Sequence, residues 1–408
     1  VKLLVYQQIF YLRGESFLER VFSIDLVEGI VMFSILQIGG QQDIFSTLVS
    51  LIWLLLLMTF FLYPGFSQRI QLSYILRDLE RKLNRLRMID DDVRERTLKT
   101  LQEYAEANID VKNELDRLVD SFVISPESMD PYGIVYKLEH IVNTWEDRFE
   151  EDVAKICSKA DNVKVKTLTN LVEVSRGVHF IYRLVRHYYL LGKRTQNVYL
   201  VLQMQMLMPQ IMEIAEAYRQ ASYAFTQGQP IGDGVGVLAV AKLAYGREKK
   251  TYEIVKDTLV HELEFDGRRL IIVRATGPGG AVGRPGEGVR RLVESEGDRV
   301  KLIITIDAGL KLEGEESGKV VEGVGVAIGG TGVDKYKIEE IARAKGIPLY
   351  AIVIYESITE AITPMREAIA KSVDRIIEKV KQVITEKIEE GATVIVAGIG
   401  NSVGIGVT

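Results

Sequence analysis

The sequence predicts one N-terminal transmembrane helix, an all-α middle region, and a C-terminal α/β domain built on a mainly parallel, mixed sheet. Three observations carry this reading. Residues 44–63 form an uncharged apolar run. Residues 66–230 place apolar side chains three and four positions apart, the period of a helix that buries one stripe. From Ile231 the chain turns glycine-rich, and short runs of β-formers alternate with helical patterns.

The apolar run, IFSTLVSLIWLLLLMTFFLY, has 20 residues and as a helix would cover about 30 Å, roughly a bilayer's hydrocarbon core. Tyr63 and the following Pro64-Gly65 close it, so residues 44–65 are the expected anchor. Arg69, Arg77, Arg81 and Lys82 follow it, whereas residues 24–43 hold no lysine or arginine. The positive-inside rule then puts the bulk of the chain in the cytoplasm, as a single-pass protein of the cell membrane. The start lacks the pattern of a cleaved signal peptide, so a retained anchor is expected. Residues 1–43, with Asp25 and Glu28 inside a moderately apolar stretch, define no element and no function.

Composition narrows the chemistry. Over 408 residues the net charge is -5, with a pI near 5.7, so no specific nucleic-acid partner is expected. The single cysteine, Cys157, excludes an intramolecular disulfide framework. Four histidines, at 140, 179, 187 and 261, leave little material for a histidine-rich metal centre.

In the middle region, 66–230, Leu76, Leu79, Leu83, Leu86, Val93, Leu98 and Leu101 mark a long amphipathic helix. SPESMDPYG, 125–133, breaks the pattern at two prolines. Helices over about 134–157, 163–192 and 196–226 follow. Between Val163 and Arg194 there are seven Lys/Arg residues and one acid, Glu173. Arg176, Arg183 and Arg194 share one face of that helix. Three destinations stay open for it: anionic lipid heads, nucleic acid, or acidic helices of this same protein. Long amphipathic surfaces on a membrane tether also predict a homo-oligomer.

In the C-terminal domain, 231–408, strands are expected at 258–265, 269–274, 300–306, 324–328, 349–354 and 392–397. Helices are expected at 233–245, 286–295, 334–345 and, longest, 359–389. Asp266-Gly267 reads as a hairpin turn. Continuous apolar strands favour a sheet covered on both faces, and ligands of such sheets sit beyond the carboxyl ends of the strands. Four motifs should collect there: GDGVG at 232–236, TGPGGAVGRPGEG at 276–288, DAGLKLEGE at 307–315 and AGIGNSVGIG at 397–406.

Gly277, Gly279, Gly280 and Gly283 follow an apolar strand and precede a helix, where backbone amides can surround a phosphate. The loop lacks the lysine and Ser/Thr ending of a P-loop. Asp307 closes the apolar strand LIITID, a position from which a carboxylate can hold a divalent metal or activate water. Asp233, between two glycines, is placed to approach it, and Glu313 is the further candidate ligand. The alternative is structural: Asp233 as a helix cap and the glutamates as a solvated turn.

The order of these parts, with SPESMDPYGIVYKLEHI, GDGVGVLAVAKL, VRATGPGGAVGRPG, IDAGLKLEGEESGKVVEGVGVAIGG and GIPLYAIVI, resembles an uncharacterised archaeal membrane-protein family, domain of unknown function 1512. That resemblance implies no activity. Locally, GDGVGVLAVAKL and GIGN are similar to turns of the hydrogenase-maturation peptidases. IDAGLKLEG, GVGVAIGG and GIPLYAIVI are similar to spore germination peptidases. This second resemblance implies acidic site residues at Asp233 and Asp307, with Asn401 beside the turn. Here GIGN follows GDGVG instead of preceding it, and no histidine follows Asp307. The expected function is a membrane-anchored cytoplasmic scaffold or ligand sensor. A metal-assisted, peptidase-like hydrolase and a nucleotide- or phosphate-binding regulator are the alternatives.

Overall fold

The computed structural model describes residues 48–56, 64–126 and 133–406. Residues 1–43, both ends of the expected membrane span (44–47 and 57–63) and the centre of the 125–133 break lie outside the described residues. Residues 48–56 are helical and exposed. Among the described residues no helix is long and apolar enough to cross a membrane.

The middle region is all helix: α1 (Pro64–Tyr104), α2 (Val111–Val119), α3 (Ile134–Ile156), α4 (Asn162–Thr195) and α5 (Val198–Gln227). Along α1 the buried side chains are Leu72, Ile75, Leu79, Leu83, Leu86, Val93 and Leu101, spaced by three, four or their sums. Helix α2 starts where the Asp110 carboxylate accepts the Asn113 amide at 3.2 Å, filling an otherwise orphaned donor. Internal contacts divide the chain into two units. One takes Tyr188–Gln205 with the chain up to Glu80, and the other takes Arg81–His187 with Met206–Thr408. The second unit therefore joins much of the helical region to the whole α/β domain.

That domain contains α6 (Val235–Ala244), α7 (Pro285–Glu296), α8 (Val333–Lys345), α9 (Ile358–Ile362) and α10 (Glu367–Lys387). Its seven strands are β1 (Lys250–Val255), β2 (Thr258–Phe265), β3 (Arg268–Ala275), β4 (Val300–Leu310), β5 (Val320–Val324), β6 (Leu349–Glu356) and β7 (Thr393–Gly398). They lie in the order β1-β2-β3-β7-β4-β6-β5. The four central strands are mutually parallel, and β1, β2 and β5 pair antiparallel at the margins. The mixed, mainly parallel sheet is thus present. Both faces are covered, because alternate side chains of the central strands are apolar on each side. Val235, Val240, Leu243, Val373, Ile376 and Val380 of α6 and α10 meet Leu302, Ile304, Ile352 and Ile354 on one face. Val289, Leu292, Val293 and Ile338 of α7 and α8 meet Ile271, Val273, Ile303 and Ile395 on the other.

Three elements differ from expectation. The strand expected at 324–328 lies at 320–324. The peptides after it turn to side chains of β4, with Ala327 donating to Thr305 Oγ1 at 2.8 Å. The long helix expected at 359–389 is two helices, because Thr363 is extended ahead of Pro364, which cannot continue a helix. Strand β1 lies beyond the six expected strands. Asp266-Gly267 does turn the β2–β3 hairpin, both residues at positive φ.

Candidate functional site: an acidic carboxyl edge

The parallel strands deliver their carboxyl ends to one edge of the sheet, and three acidic side chains stand along it. Asp307 belongs to β4 and is 5% exposed. The Ala308 amide donates to its Oδ1 at 2.8 Å and the Gly329 amide to its Oδ2 at 2.9 Å. Burial and the neighbouring Asp233 charge nevertheless push Asp307 well above the usual carboxylate range, against the pull of those amides.

Asp233 sits in the 3-10 turn Gly232–Gly234 that leads into α6. The Asn401 amide, just past β7, donates to Asp233 Oδ2 at 2.8 Å. Burial raises this carboxyl, and the Asn401 amide partly offsets it. The close approach requires Gly400, whose φ is +124° and whose Cβ, were there one, would collide with the Asp233 carbonyl.

The third acid is Glu356, the last residue of β6. It is 2% exposed, and neither carboxyl oxygen has a hydrogen-bond partner. Burial, then the charges of Asp233, Asp307 and Glu360, push its carboxyl up to about 9. Its Oε2 and the Glu360 carbonyl oxygen both press on Gly232, where any side chain would strike them. Register places Asp307 opposite Val353 and Leu310 opposite Glu356, so Asp307 and Glu356 leave the sheet on opposite faces. Asp233, beyond the strand ends, acts electrostatically on both. Consistent with this spread, among the described residues no three Asp, Glu, His or Cys side chains form a ready-made metal group.

The edge is tied to the helical region. Asn401 Nδ2 donates to Asn170 Oδ1 of α4 at 3.2 Å, and Asn170 Nδ2 donates to the Gly280 carbonyl. Lys166 of α4 pairs with Asp257, and Lys256 reaches Asp147 and Glu150 of α3, both at 2.8 Å.

One family model, described as protein of unknown function (DUF1512) N-terminal domain, matches residues 51–228, and a second, domain of unknown function (DUF1512) C-terminal, matches residues 231–406. The chain belongs to the DUF1512 family. No curated protein matches it. All the acidic edge falls in the segment matched by the C-terminal DUF1512 model, and Asn170 falls in the segment matched by the N-terminal one.

The remaining residues singled out by sequence lie as follows. Glu313 is exposed in the loop after β4, and the acids acting on Asp307 and Glu356 do not include it. In the glycine loop, Gly277 faces the Ile405 carbonyl, Gly279 the Val163 backbone, Gly280 the Asn170 amide group and Gly283 the Asp257 carbonyl. Nearby amides are engaged within the chain: Arg284 donates to Thr258 Oγ1 at 2.7 Å and Gly286 to Asp334 Oδ1 at 2.8 Å. On these glycines the places a side chain would occupy are therefore taken by the chain's own atoms. Asn401 is the member of that group that touches the acidic edge. On α4, Arg176 pairs with Glu173 at 2.9 Å and Arg183 with Asp120 at 2.7 Å, while Arg194 is exposed. Glu356 carried the signal that drew attention to Asp307, an acid ending an apolar strand (LYAIVIYE), yet only Asp307 was read from it. Asn170 carried no signal, because its role is set by a contact across 231 residues of chain.

Proposed function

We propose that this chain is a membrane-attached ligand sensor, in which the acidic carboxyl edge takes the ligand and the helical region registers it. One observation carries the reading. Asp233 is bound through the Asn401 backbone amide to a residue whose side chain meets Asn170 of α4. A ligand that moves Asp233 therefore pulls on a helix, and the acids, neighbours that are not yet gathered, must move to bind one. Membrane attachment is supported by residues 48–56, where Leu48, Leu51, Ile52, Trp53 and Leu54 are all exposed. Apolar side chains at consecutive helical positions point in every direction, which suits lipid better than a one-sided groove. With the Arg/Lys bias after the span, this favours the α/β domain on the cytoplasmic side.

A metal-assisted hydrolase, as the peptidase resemblance implies, is the second reading. What favours it is Glu356, a buried carboxyl kept protonated near neutrality and so able to donate a proton.

Hydrogen exchange on the full-length chain tests the sensor. Ligands from a panel of metal ions and organic cations should slow exchange at 399–406 and in the first turns of α4. In Asn170→Ala, protection should persist at 399–406 and vanish in α4. Protection confined to the sheet edge in the wild type, with turnover of a peptide or ester substrate, would favour the hydrolase instead.

A further inference from the structure

The donor chemistry of the edge identifies the class of ligand, given the reading above that the edge is a ligand site. We infer that it binds a hard divalent cation such as Mg²⁺, Mn²⁺ or Ca²⁺, with Glu356 and Asp233 as the protein carboxylates. Glu356 has two carboxyl oxygens, both buried and both without a partner. Leaving such a group bare costs free energy, so its retention needs an occupant or a compensating role.

The compensation other acids receive is missing here. Glu360, one turn later, accepts the Ser357 amide at 2.8 Å, the Ser317 hydroxyl at 2.7 Å and the Arg366 guanidinium at 2.8 Å, with Lys311 at 3.7 Å. No lysine or arginine forms an ion pair with Glu356, Asp233 or Asp307 among the described residues, although two basic side chains stand at Glu360. The acids of the edge thus have no basic partner of their own among the described residues, and a divalent ion would take the place of the protons they hold.

The ligand atoms on offer are all oxygen. Besides Glu356 and Asp233 they include the Glu360 carbonyl, which, like Glu356 Oε2, lies against Gly232. No histidine or cysteine is among them, which disfavours zinc and copper and favours the hard ions. Two carboxylates suffice for such an ion, since Mg²⁺ keeps several waters and commonly takes only one or two protein carboxylates. That also reconciles the site with the absence of a preformed three-ligand group. Asp307, already held by two amides, supplies field from the far side of Asp233.

Titration calorimetry and thermal unfolding of the full-length chain with MnCl₂, MgCl₂ and CaCl₂ test this, with ammonium, arginine and spermidine as organic cations. The wild type should bind at least one divalent ion with a saturable heat and a raised Tm. Glu356→Gln keeps shape and neutrality, so it should fold yet weaken that ion at least tenfold. Asp233→Asn should do the same, and Glu356→Asp, which keeps a carboxyl that can ionise on the metal but with a shorter reach, should recover part of the affinity. Glu313→Gln should stay within twofold. Binding of divalent ions unchanged by Glu356→Gln would overturn the inference. Binding of an organic cation alone would overturn it while leaving the sensor reading intact, and binding of neither class would remove both.

Discussion

Glu356 and Glu287 are inward-facing glutamates of one α/β domain, and their surroundings are opposite. Glu287, on α7, accepts from Arg290, Arg291 and Lys337 at 2.6 to 2.9 Å, and its carboxyl is held down at about 2 by those partners against the effect of burial. Lys337 of α8 joins it to Glu139 of α3, so the network fastens helices together. Glu356, at the carboxyl edge of the same sheet, has nothing on either oxygen. The difference teaches where this fold uses charge for cohesion and where it leaves a carboxyl unanswered. Lysines and arginines were available nearby in both places, and at the edge they went to Glu360.

The comparison breaks most visibly at Lys337, which is 7% exposed. Lys337→Met should destabilise the chain by about 3 kcal/mol, the lower end for breaking a buried ion pair, because Arg290 and Arg291 still attend Glu287. Denaturant unfolding of the full-length protein measures it, and a cost near zero would mean the network is ornamental. The pH response sharpens the contrast next. Glu356 has its carboxyl raised in the folded state, so its contribution is fully present below about pH 4.5 and is lost as pH rises through about 9. Glu287 is lowered, so its contribution is present above about pH 4.5 and is lost as pH falls through about 2. Raising the pH from 6 to 8 should therefore cost the wild type on the order of 2 kcal/mol that Glu356→Gln does not lose. Stability that climbs over that interval, or the same slope in both proteins, would contradict the assignment. Glu287→Gln should cost about 2 kcal/mol at neutral pH, the linkage value discounted for its partly exposed arginine partners. It should also flatten the acid limb and leave the limb above pH 6 unchanged.

What the sequence made legible follows from how local each cause is. The alternation of strand and helix, the Asp266-Gly267 turn and the strands that became β2, β3, β4, β6 and β7 are local patterns, and they stand where the periodicity put them. Asp307 was legible because the apolar run LIITID ends on an acid, although β4 itself continues to Leu310. The break at Pro364 was equally local, but the helical pattern on either side of it masked the proline. Strand β1, with half its residues exposed, carries no apolar run and becomes a strand by pairing with β2. The order of the strands, which brings β7 between β3 and β4, is a property of the whole chain. So is the choice of Glu356 over Glu313 as the neighbour of Asp233. Glu313 is closer to Asp307 in sequence, but the chain after β4 leads it into solvent, whereas β6 returns Glu356 alongside β4.

The claim that the acidic edge is a cation site has a direct measurement in anomalous diffraction from crystals of the full-length chain grown with MnCl₂. The account predicts a manganese peak bonded to Glu356 and Asp233 at about 2.1 to 2.3 Å, between the oxygen distances of Mg²⁺ and Ca²⁺. It also predicts that this peak is absent from crystals of Glu356→Gln. A peak elsewhere on the molecule, or a Glu356 carboxyl hydrogen-bonded within the protein and no manganese beside it, would contradict the account.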